Sequence, residues 1–116
     1  ATTETDGMIG SVELAAMKNS ATIINIARGT VIDQDALVAA LSEKRIGAAF
    51  LDVTSPEPLP AEHPLWNLEN AHVTMHLSGR SQDKMVTRSV ERFLTNLESW
   101  YNGGPIEPKV DLLLGY

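Results

Sequence analysis

The strongest constraint on the fold is a pair of short, continuously apolar runs with a capped helix between them. Residues 21–26 (ATIINI) and 46–53 (IGAAFLDV) lack the polar alternation of a strand with one wet face. Runs of this kind make parallel strands covered on both faces. Between them Asp33 is a good N-cap, and residues 34–44 put Ala36, Leu37, Ala40 and Leu41 on one helical face. Strand, helix, strand requires parallel neighbours joined by a right-handed crossover. A third short strand is predicted over 72–75 and a short helix over 12–17, capped by Ser11. A long helix is predicted from Ser81 to about residue 102. Its stripe of Val86, Val90, Phe93, Leu94, Leu97 and Trp100 follows helical spacing, and Gly103-Gly104-Pro105 stops it. The fold class predicted is α/β with a parallel sheet.

The chain's 116 residues suit one small domain or part of a larger one. Nine basic against fifteen acidic residues leave a formal charge of −6. That balance argues against nucleic acid or an anionic membrane surface as the main partner. With no cysteine, disulfides, thiolate catalysis and Cys-ligated metals are all excluded, which fits a reducing compartment. No apolar run approaches the roughly 20 residues of a spanning helix. Residues 1–6 carry no basic or apolar signal-peptide segment. The first residue is Ala1, consistent with a processed start or with excision from a longer chain.

In parallel α/β sheets chemistry sits beyond the carboxyl ends of the strands. Each predicted end carries a suggestive residue. Arg28 follows the first strand, and a guanidinium suits a bidentate grip on a carboxylate. An ordinary surface arginine is the alternative. Asp52 ends the second strand, where it could cap the N–H groups of its own loop or accept from a ligand amide. Glu57 stands between Pro56 and Pro58, on a stiff scaffold, or is simply a solvated loop acid. His76 follows the third strand. Histidine exchanges protons near neutral pH, and a carboxylate beside it would keep one ring nitrogen protonated. A structural histidine is the alternative. His63 and His72 have only structural readings, and the three histidines lack metal-ligand spacing. Together, an anion grip beside an acid/base pair suits chemistry on a small carboxylate whose neighbouring carbon carries an oxygen.

The blocks at 5–10, 21–29, 36–53, 56–60, 63–66 and 73–79 resemble the D-isomer-specific 2-hydroxyacid dehydrogenases in order and spacing. Arg28 and Glu57 are 29 residues apart, and Glu57 and His76 are 19 apart, intervals similar to the family's. The resemblance implies the second half of a Rossmann-type NAD(P)-binding domain over 1–79. Residues 80–116 would be a long helix and tail returning toward a substrate domain. It implies a cytoplasmic enzyme, homodimeric in its complete form. That enzyme would reduce a 2-oxo acid such as glyoxylate or hydroxypyruvate with NADH or NADPH.

By the same resemblance Arg28 grips the substrate carboxylate, His76 is the acid/base and Glu57 orients it. Asp52 hydrogen-bonds the nicotinamide carboxamide. Ile26 and Ser78 line the cofactor through their backbones, and Thr2 lies near its ribose. There are departures: Met75 and Glu69 stand where the family usually has proline, and no G-x-G-x-x-G occurs. The 116 residues alone are therefore expected to be inactive. A formate dehydrogenase relative would usually carry glutamine in place of Glu57. An NAD(H)-sensing corepressor of the same fold is the reading from another class.

Overall fold

The computed structural model describes residues 2–80 and 84–113. They divide into two compact units, residues 1–78 and 79–116. The first unit holds three parallel strands in the order β1-β2-β3, with β1 at Thr22–Asn25, β2 at Ala48–Leu51 and β3 at Ala71–Val73. Thr22 is in register with Ala48, and Ala49 with Ala71. Two helices precede and link the strands, α1 at Ser11–Ala16 and α2 at Gln34–Ser42.

Alternation along the strands sorts the side chains. Asn25, Ala49 and Leu51 are buried and Ile23, Ala71 and Val73 half-buried, whereas Ile24, Phe50 and His72 are exposed. The covered side belongs to a core of Leu14 from α1, Leu37, Ala40 and Leu41 from α2, and Ile46 and Leu65 from the connections. Each fully buried aliphatic side chain of this kind contributes about 1.5–3 kcal/mol.

The helix ends explain most differences from the sequence reading. Asp33 caps α2 as predicted, its Oδ1 accepting from the Ala36 N–H at 3.0 Å. At the other end Lys44 takes a left-handed φ of 55°. Its N–H reaches the Leu41 carbonyl, and that of Arg45 reaches Ala40. This closes the helix two residues before the predicted end, a turn usually made with glycine. For α1 the cap is Gly10 rather than Ser11, because the Glu13 carboxylate reaches back to the Gly10 N–H at 2.9 Å. The third strand lies one residue earlier and is shorter than predicted. Its pattern of bonds nonetheless continues, the Thr74 N–H donating to the Leu51 carbonyl and the His76 N–H to the Asp52 carbonyl, both at 2.9 Å. Two short 3-10 turns, at Gly29–Val31 and Pro64–Asn67, and a parallel bridge between Ile9 and Ile32 were not predicted.

The second unit is built on α3, Met85–Tyr101. The predicted first residues of this helix, 81–83, lie outside the described residues. Gly103 ends it with φ 74°, its N–H bonding the Trp100 carbonyl while that of Gly104 bonds Ser99. The tail folds back: the Asn96 amide pairs with the backbone of Glu107 at 3.0 and 3.1 Å. The predicted stripe is exposed in full, from Val86 through Trp100. No helix among the described residues is long and apolar enough to cross a membrane.

Candidate active site

The loop after β1 is shaped by the last residue of the strand. Asn25 is buried, so its amide must find partners. Its Oδ1 accepts from the Ala27 N–H at 3.0 Å, and its Nδ2 donates to the Arg28 carbonyl at 2.9 Å. Gly29 then passes so close to the next loop that a Cβ there would lie 2.0 Å from the Thr54 carbonyl oxygen. Only glycine permits that approach. It sets Arg28 beside the loop that carries Glu57. The Arg28 guanidinium is exposed and donates to the Ala27 carbonyl at 2.6 Å.

The proline-rich loop after β2 is tied down at several points. The Gln34 side chain, at the start of α2, donates to the Ser55 carbonyl at 2.8 Å and accepts from its N–H at 3.0 Å. The Thr54 hydroxyl donates to the Pro56 carbonyl at 2.9 Å. Glu57 thereby faces the loop after β3. Its Oε1 accepts from the Thr54 N–H at 3.2 Å, and its Oε2 lies 3.1 Å from Nδ1 of His76. A carboxylate only accepts, so Nδ1 carries the proton and Nε2 is left to face a ligand. Hydrogen bonding from His76 holds the Glu57 carboxyl below its usual range. Burial, the next largest effect, opposes it, and the Thr54 N–H and the charges of His76 and Arg28 add smaller lowering effects. Thus Glu57 and His76, which follow β2 and β3, meet, and Arg28 follows β1.

Asp52 is buried and does cap N–H groups, but those of the loop after β3 rather than its own. Its Oδ1 accepts from the Leu77 N–H at 2.9 Å and from the Thr74 hydroxyl, and its Oδ2 accepts from the Ser78 N–H at 2.7 Å. These bonds, Thr74's first, hold its carboxyl far below the ordinary aspartate range. A carboxylate has about four acceptor positions. Three are used by these bonds, and the Ser78 side chain also hydrogen-bonds the carboxylate.

Ile26 is exposed and, with Ile24, Phe50 and Leu77, lines an apolar groove that runs to Asp52 and Ser78. Thr2 is not drawn into this groove but is held in a turn by Thr5, whose hydroxyl accepts from its N–H at 2.8 Å. His63 accepts from the Leu65 N–H at 3.2 Å and starts the second 3-10 turn, and His72 stacks on Phe50 at 4.4 Å. His72 also lines the groove. Asn25, Gln34 and Thr74 were not singled out. Only Asn25 carried a signal, as an amide inside a β-branched run that has to be buried and satisfied.

A parallel α/β unit with a histidine–carboxylate pair at its strand ends, and an apolar groove ending at Asp52, is a Rossmann-like dinucleotide-binding fold. Residues 1–78 match the NAD binding domain of the D-isomer specific 2-hydroxyacid dehydrogenases, and the chain belongs to that family. It is 39% identical over 111 residues to the glyoxylate reductase/hydroxypyruvate reductase of Homo sapiens, covering 96% of this chain and 34% of the human one. A D-isomer specific 2-hydroxyacid dehydrogenase from Xanthobacter autotrophicus Py2, solved with NADPH and MES, superposes with a TM-score of 0.91 at 37% identity. The match covers 100% of this chain and 47% of that one. An NADPH-dependent glyoxylate/hydroxypyruvate reductase from Sinorhizobium meliloti, solved with NADP and sulfate, superposes at 0.89 with 27% identity, over 100% of this chain and 37% of that one. The chain thus spans about a third of the length of the curated relatives it matches.

Proposed function

We propose that the protein carrying this chain reduces a small 2-oxo acid, of the glyoxylate or hydroxypyruvate type, to the D-2-hydroxy acid with NADH or NADPH. The observation that carries this reading is the Glu57–His76 pair at 3.1 Å, beside the loop of Arg28. The names of the human and S. meliloti relatives support the substrate class.

The residues present fit the nicotinamide end of such a cofactor. Ile26 and Leu77 offer an apolar wall, and the Asp52 carboxylate beside them is an acceptor of the kind a carboxamide N–H needs. The chain has no G-x-G-x-x-G to hold a pyrophosphate. When bound, the reduced nicotinamide supplies a hydride to the carbonyl carbon. The protein's residues do the rest. Arg28 leaves the Ala27 carbonyl and pairs with the substrate carboxylate through two parallel N–H donors. His76 gives the Nε2 proton to the carbonyl oxygen as the hydride arrives, so the product is a neutral alcohol. Glu57 holds Nδ1–H throughout, fixing the tautomer and the direction of Nε2 and stabilising the imidazolium before transfer.

The test is NAD(P)H oxidation by the protein at its natural length, with glyoxylate and hydroxypyruvate, against its His76→Ala variant. The expected result is turnover that His76→Ala reduces at least a thousandfold, about 4 kcal/mol. No turnover with either acid, alongside tight dinucleotide binding, would replace the reading with a dinucleotide-sensing one.

A further inference from the structure

His76 has a backbone φ of 54°, in the left-handed region that residues other than glycine seldom enter. The conformation is held by one residue. The N–H groups of His76, Leu77 and Ser78 all point to Asp52, the first to its carbonyl and the next two to its carboxylate. Successive N–H groups following a left-handed residue form a concave anion site. Here the anion is a side chain from the neighbouring strand's end.

Asp52 can hold the turn only if its carboxylate cannot rotate. Its backbone is fixed by the N–H bond to the Asn25 carbonyl at 2.9 Å. Its carboxylate takes side-chain hydrogen bonds from the Thr74 hydroxyl, the dominant one, and more weakly from the Ser78 side chain, which belongs to the turn itself. Thr74 is itself fixed through its N–H to the Leu51 carbonyl. A chain of contacts therefore runs from Thr74 to the Asp52 carboxylate, to the turn at 76–78, and to the ring that meets Glu57. Thr74 takes no part in proton transfer.

We propose that Thr74 is a positioning residue for His76, its hydroxyl locking the Asp52 carboxylate that holds the 76–78 turn and so aims the imidazole at Glu57. This rests on the reading of His76 as the proton donor. Losing the hydroxyl leaves Asp52 with the same charge and its donors at 77 and 78, but without its shortest hydrogen bond, so the angle of its carboxylate is less tightly fixed. The ring then samples positions away from the reacting oxygen. A displacement of about 1 Å costs on the order of a hundredfold in rate.

The test uses the protein at its natural length, with Thr74→Val, which keeps the branched shape, Thr74→Ser, which keeps the hydroxyl, and His76→Ala. Thr74→Val is expected to lower kcat for 2-oxo acid reduction about 10- to 100-fold. KM for the acid should stay within about threefold, and Thr74→Ser should restore kcat to within about threefold. In 1H–15N spectra the amide signals of Leu77 and Ser78 should move in Thr74→Val and return in Thr74→Ser. Unchanged kcat in Thr74→Val, equal losses in both Thr74 variants, or a loss confined to nucleotide KM would overturn the proposal. So would loss of the cooperative unfolding transition in Thr74→Val, since Thr74 would then serve stability. If His76→Ala is inactive while Thr74→Val matches the parent, only this inference fails. If His76→Ala still reduces the acid, the underlying reading fails.

Discussion

Gly29 and Thr54 meet backbone to backbone, with 2.0 Å between the Thr54 carbonyl oxygen and the place where a Gly29 Cβ would stand. This contact seats the Arg28 loop against the Glu57 loop. Gly29→Ala must push two backbones apart, and no flexible side chain can yield instead. Overpacking usually costs about 1–3 kcal/mol, and a backbone collision lies at or above the upper end. Denaturant unfolding should show a loss of about 3 kcal/mol or more. An unchanged midpoint would mean the loops adjust freely.

Arg28→Lys keeps the charge but not the planar fork. For the full-length protein kcat/KM on glyoxylate or hydroxypyruvate should fall by roughly 2–4 kcal/mol of transition-state stabilisation, comparable to removal of an aimed electrostatic donor. Steady-state kinetics on both acids provide the check, and parental values for the lysine variant would remove Arg28 from the substrate grip.

Glu57→Gln keeps the hydrogen-bonding shape and removes the charge that favours the imidazolium. With His76 as the proposed acid/base, reduction would need it protonated and oxidation would need it neutral. Reduction should therefore decline, and oxidation rise, at lower pH in the variant than in the parent. At neutral pH reduction suffers more than oxidation. Superimposable profiles of parent and variant would show that the 3.1 Å contact does not couple the two groups.

Asp52 is held ionised by the Thr74 hydroxyl and by the Leu77 and Ser78 N–H groups. Its native pKa lies below the unfolded value of about 3.9, so the stability it contributes is complete above that value. It is lost as pH falls through the native pKa. In the parent, the denaturation midpoint should fall more steeply below about pH 4 than in Asp52→Asn. The difference between the curves isolates Asp52 from the other acids, and parallel curves would contradict the assignment.

The 116-residue chain alone should bind NADH weakly, because its sequence has no glycine-rich turn for the pyrophosphate. Calorimetric titration reaching a micromolar Kd would show that the groove from Ile26 to Ser78 suffices.

Much of the fold was legible because its signals are local. The runs around β1 and β2, the Asp33 cap and the Gly103 stop depend on residues within a turn or two of one another. The misplaced ends were also local, but used uncommon means: Glu13 reaching back to Gly10, and Lys44 taking a conformation expected of glycine. The chemical residues Arg28, Glu57 and His76 were legible as types at strand ends, and their spacing resembled a family's.

What the sequence by itself determined is the class of fold, the strand ends and the chemical groups placed there, since side-chain period and capping are written in neighbouring residues. Only the tertiary structure decided which groups meet. Gly29 touches Thr54, 25 residues away, and Asp52 gathers the N–H groups of a turn 24 to 26 residues further on. The reason is physical. Parallel register puts successive strand ends side by side, and loops there satisfy their polar groups across the sheet rather than along the chain. Such partners leave no period in the sequence, so Thr74 became a functional candidate only once the strands were in register.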